Sequence, residues 1–151
     1  MTGYEPCTAV SRTRVWTSTG TSRAGSCHPG GVDVDLELAA GPLAPARARA
    51  AIDGMDAALA PALLDDLRLV VSELVGNAVI HGPDAPVQLR LRVDGPGRVR
   101  GEVADRGRHG TIAIRESADE GGGYGLRLVD RLAHRWGVHE GSTHVWFELR
   151  D

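Results

Sequence analysis

The sequence predicts an α+β fold, a two-layer α/β sandwich with helices on one face of a mixed, mostly antiparallel sheet. Several short segments alternate apolar and polar residues, and three longer ones carry apolar residues at helical spacing. The regular strand-helix-strand alternation of a parallel sheet is missing.

Residues 1–31, rich in Thr, Ser, Gly and Arg, show neither period and are expected to form a mobile leader, so that the domain runs from 32 to 151. Val32, Val34, Leu36 and Leu38 alternate with Asp33, Asp35 and Glu37, the pattern of a half-buried strand, which Gly41 and Pro42 end. An Ala-rich helix follows from about Ala44 to Ala60. The next helix runs from Pro61, tolerated at a first turn, to His81, before Gly82 and Pro83. Its apolar side is Leu63, Leu67, Val70, Val71, Leu74 and Ala78, with Asp66, Glu73 and Asn77 along the edge.

"VQLRLRV" (87–93) and "VRGEVAD" (99–105) are alternating strands joined through "DGPG", an antiparallel hairpin. Counting by twos from Val99 turns Asp105 inward, while Gln88, Arg90, Arg92, Arg98, Arg100 and Glu102 share the other face, which is expected to be wet or to meet a partner. A third helix follows "GGG", with Leu126, Val129, Leu132 and Ala133 on one side. "WGVHEGSTHVWFEL" closes the chain as a second hairpin, with Val145, Phe147 and Leu149 facing one way.

Composition excludes several functions. A chain of 151 residues, 42% hydrophobic and 25% charged, is expected to form one soluble globular domain with no room for a second catalytic one. The net charge of -3 and the scattered arginines argue against direct nucleic-acid binding. All 17 basic residues are Arg, and the absence of lysine rules out a Walker-type phosphate loop. Cys7 and Cys27 suit free thiols rather than a disulfide framework. No apolar run is long enough for a membrane span, and residues 1–31 lack the apolar centre of a secretion signal, so the expected location is cytoplasmic, away from membranes.

Three places carry candidate chemistry. Glu73, Asn77 and His81 recur every fourth residue along the second helix. A solvated helix edge accounts for such a strip, and so does a hard cation such as Mg2+, held by few protein ligands and completed by substrate phosphates. Zinc would want more nitrogen or sulfur ligands. Asp105, followed by Gly107 and Gly110, is either a turn aspartate or a pocket carboxylate that accepts a hydrogen bond from an exocyclic amine. "GGGYGL" (121–126) opens a helix whose free N–H groups suit anionic oxygens. It follows a loop late in the chain, which excludes a dinucleotide-binding fingerprint.

In this order the three places resemble the motifs of the GHKL superfamily, the Bergerat-fold ATP-binding domains that include histidine kinases, gyrase and the bacterial anti-sigma-factor serine/threonine kinases. "ELVGNAVIHG" looks like the N box, "DRGRHG" like the first glycine box and "GGYGLRLV" like the second, and the resemblance covers about Val32 to Leu149. "GLRLVDRLAHRWGV" and "VWFEL" are most similar to the stand-alone anti-sigma-factor kinases. The resemblance implies ATP and Mg2+ as ligands. It makes Glu73 the general base, Asn77 the Mg2+ ligand, Asp105 the partner of the adenine amine and Gly107 the room for the ring. Gly110, Gly123, Gly125 and Leu126 complete the nucleotide site. His109 stands where the family's first box has its second glycine, and Gly110 is displaced by one. The partners implied are a sigma factor and an antagonist protein, and a homodimer is left open. Two functions follow: a kinase that phosphorylates the antagonist while sequestering the sigma factor, or a nucleotide-gated binding module with little catalysis.

Overall fold

The computed structural model describes residues 33–82, 84–95, 97–105, 124–139 and 144–151. Among these the elements run β1 (Asp33–Leu38), α1 (Ala44–Asp53), α2 (Pro61–His81), β2 (Val87–Val93), β3 (Arg98–Asp105), α3 (Tyr124–Leu132), β4 (Arg135–Val138) and β5 (Val145–Arg150). The leader and the stretch carrying Gly107, His109, Gly110 and Gly123 lie outside the described residues.

The strands form one sheet in the order β1-β2-β3-β5-β4, and every described pairing is antiparallel. Because β5 lies between them, β3 and β4 run the same way, and the connection through α3 crosses over one strand. The helices pack on one face, α2 against β2, β3 and β5, and α1 against β1. That is the predicted two-layer sandwich.

Alternation decides which side chains enter the core. Val34, Leu36 and Leu38 of β1 meet Leu91, Leu89 and Val87 of β2 across the ladder, and all six are buried. On β5, Val145, Phe147 and Leu149 face inward as expected, and the Phe147 ring lies across Gly101 of β3, where any side chain would collide with it. Helix α2 supplies Leu63, Leu64, Leu67, Val70, Val71, Leu74 and Val75, all buried, so its central turns are held by apolar packing.

The first helix is shorter than predicted. It ends at Asp53 rather than near Ala60, with Gly54 at the C-cap and turns through "GMDAAL" up to Leu59. Glycine is a poor helix residue, and the Asp56 carboxylate accepts a hydrogen bond from the Ala57 N–H, an arrangement that competes with helical pairing. Met55 and Leu59 stay buried, so the apolar period outlasts the helix. Arg49 donates to the Ser72 hydroxyl at 3.0 Å, and Arg68 bridges Asp53 and Asp65; these exposed contacts orient α1 on α2 and add little stability.

The outer face of the sheet carries an ion network that the sequence does not announce. Glu148 has a side chain only 3% exposed, and Arg100, Arg135 and Arg150 donate to its carboxylate at 3.2, 2.9 and 2.6 Å. The Arg135 hydrogen bond, joined by that of Arg150, outweighs burial and holds the carboxyl at about 2, below the ordinary 4.5. A carboxyl lowered on folding contributes stability that is present above its unfolded value and lost as pH falls through its folded one. Glu148→Gln is therefore expected to lower the melting temperature by several degrees at neutral pH. The gap to wild type should close as pH falls from about 4.5 to about 2, which thermal melts across that range measure.

Candidate functional site

The later turns of α2 and the elements packed on them form the candidate site. Helical spacing brings Glu73 and Asn77 to one edge, where both are half-buried and neither is drawn into the core. Helix α3 packs across this edge, and Gly125 near its start makes the approach possible. A β-carbon at Gly125 would lie 2.6 Å from Glu73 Oε2 and 3.1 Å from Asn77 Nδ2. The backbone at Gly125 thus passes directly over the Glu73 and Asn77 side chains. Leu126, next in the chain, joins the hydrophobic core and anchors this start.

Asp105, at the end of β3, lies beside the C-terminal end of the same helix. It is the last residue of the β2–β3 ladder, opposite Val87, and it points inward at 7% exposure, as counting by twos predicts. Asp105 and Glu148 are the buried charged residues among those described. Burying a carboxylate is costly without partners. Glu148 has its three arginines, and Asp105 is not without a partner either; a β-carbon at Gly82 would fall 2.8 Å from its Oδ2.

Three motifs far apart in sequence therefore meet on the C-terminal half of α2. From Glu73 to His81 the helix rises about 12 Å. His81 is exposed at the helix end, away from the core. Gly107, Gly110 and Gly123 belong to the undescribed stretch, so the described half of the site comprises Glu73, Asn77, Asp105, Gly125 and Leu126. In the sequence Gly82 marks only the end of a helix; its closeness to Asp105 depends on how β3 meets α2, which no local signal carries.

No group of three or more His, Cys, Asp or Glu among the described residues has the arrangement to hold a metal ion. An amide oxygen at Asn77 fits a different kind of site, in which Mg2+ takes few protein ligands and the phosphates complete its shell. A concavity of about 650 Å3 opens on the outer sheet face between Arg90, Arg100, Arg135 and Trp146, but it includes none of Glu73, Asn77 and Asp105. The chemistry-bearing residues lie on the helical side.

A family model for the histidine kinase-like ATPase domain matches residues 37–149, well over half of the chain. The chain belongs to that family. The match spans every candidate residue from Glu73 to Leu126, and the sheet with three helices on one side agrees with the family's GHKL fold. A comparison with curated proteins finds no match. As a histidine kinase-like ATPase domain, the protein is an ATP-binding one with kinase-like use of ATP in general. No helix among the described residues is long and apolar enough to cross a membrane.

Proposed function

We propose that this histidine kinase-like ATPase domain is an ATP-dependent serine/threonine protein kinase, which phosphorylates an antagonist protein and sequesters a sigma factor in the cytoplasm. The observation that carries the catalytic part is the pairing of Glu73 and Asn77 beneath Gly125, with Asp105 of β3 beside the C-terminal end of the same helix. Asp105 would accept a hydrogen bond from the adenine amine. Asn77 would hold Mg2+, which when bound supplies positive charge against the phosphates. Glu73, half-buried at the edge, takes the proton from a serine hydroxyl of the antagonist. The serine oxygen forms a bond to the γ-phosphorus as the bond to the β,γ-bridging oxygen breaks, and ADP leaves with that electron pair.

The partners rest on the resemblance of "GLRLVDRLAHRWGV" to the anti-sigma-factor kinases. One observation favours a second reading: His109 replaces the second glycine of the first box, which points toward a nucleotide-gated binding module with weak turnover. Radiolabelled phosphate transfer from ATP to candidate antagonists separates the two. The kinase reading expects labelled phosphoserine on an antagonist that the protein binds. Absence of transfer to any antagonist it demonstrably captures, with ATP bound, would leave the module.

A further inference from the structure

We propose that Gly125 is a positioning residue for phosphoryl transfer: the room left by its missing side chain is the place in which the Glu73 carboxylate stands to take its proton. The proposal deepens the kinase reading and rests on it. The backbone does not require glycine here. Gly125 lies in the first turn of α3 and outside the left-handed region, and glycine is a poor helix residue, so alanine would serve the helix better. Space is what requires it. A β-carbon at Gly125 would meet Glu73 Oε2 first, at 2.6 Å, and Asn77 Nδ2 next, at 3.1 Å, while the Glu73 β-carbon at 3.5 Å is in ordinary contact.

The nature of these atoms determines what yields. Both close ones are the far ends of side chains, and no backbone atom is among the three neighbours. Val70, Val71, Leu74 and Val75 hold α2 in the core, and Leu126 and Val129 hold α3, so neither helix gives way. No hydrogen bond or ion pair ties the Glu73 carboxylate down among the described residues. The carboxylate therefore swings away from α3 by rotation about its own side-chain bonds, whereas Asn77 has to give by only a few tenths of an ångström. A general base works within hydrogen-bond reach of the proton it takes, and a misplacement of about 1 Å costs on the order of a hundredfold.

The test uses labelled ATP with water as the acceptor, so that no antagonist has to be identified. Glu73 takes a proton from water, the water oxygen bonds to the γ-phosphorus as the bond to the β,γ-bridging oxygen breaks, and ADP leaves with that electron pair. Release of labelled phosphate and calorimetric ATP affinity, both with Mg2+, are measured on the full chain as wild type, Gly125→Ala, Glu73→Ala and the double mutant, with thermal melts to establish folding. Gly125→Ala is expected to fold, to bind ATP nearly as wild type does, and to release phosphate roughly ten- to a hundredfold more slowly. In the Glu73→Ala background the same change should cost nothing further, since effects of residues in contact are not additive. A merely structural role, or a contact of Gly125 with the nucleotide, would persist without the carboxylate. A Gly125→Ala protein that turns over like wild type, loses ATP affinity in step with turnover, slows Glu73→Ala further or fails to fold overturns the positioning role while leaving Glu73 as the base. A Glu73→Ala protein that releases phosphate as fast as wild type overturns the base, and the positioning role with it.

Discussion

Glu73→Ala is expected to bind ATP as wild type does and to transfer phosphate roughly 10²- to 10⁴-fold more slowly, the usual contribution of a positioned general base. The expectation follows from where Glu73 stands. It is half-buried on the edge of α2, one turn before Asn77, and Gly125 brings the α3 backbone against both. Under the proposed roles, only Asn77 bears on the bound nucleotide in the ground state, whereas Glu73 acts on the incoming hydroxyl. A substitution that leaves ATP affinity intact and lowers turnover marks an interaction made in the transition state. Asn77→Ala should instead weaken Mg2+-dependent ATP binding and turnover together. Single-turnover phosphate transfer, measured beside ATP affinity for each variant, distinguishes these patterns. Equal losses of affinity in both variants would remove the division of roles.

Asp105→Ala is expected to weaken ATP by roughly ten- to a hundredfold, since hydrogen bonds to charged groups are worth about 1.5–3 kcal/mol. Asp105 is 7% exposed, its backbone is anchored by strand pairing with Val87, and its carboxylate lies close to Gly82. In a melting experiment, ATP raises the wild-type midpoint by mass action, and the rise grows with nucleotide concentration. The same concentrations should barely move the mutant. A mutant stabilised by ATP as fully as wild type would take Asp105 out of the nucleotide site.

Local chemistry made most of this fold legible in the sequence. The alternation in β1, β2, β3 and β5 identifies the buried face residue by residue, and the inward turn of Asp105 needs only a count by twos from Val99. The strip of Glu73 and Asn77 needs only helical spacing. What was not legible depends on long-range placement. Helix α1 stops at Gly54 although the apolar period continues through Met55 and Leu59, because buried turns can carry the same spacing as a helix. Glu148 gathers its arginines only once β5 lies between β3 and β4. What Gly82 and Gly125 lie against emerges only when β3 and α3 come against α2. Each of these facts is a contact between segments that propensity treats separately.

The central claim is that the face built on α2 binds an adenine nucleotide with the help of Mg2+. It is tested most directly by titrating the purified full chain with ATP, ADP and GTP, each with and without Mg2+. Saturable binding of ATP and ADP is expected, stronger for ATP when Mg2+ is present, with little binding of GTP, whose base offers a carbonyl where adenine offers its amine. Equal binding of GTP and ATP, or no binding of any nucleotide with Mg2+ present, would contradict it.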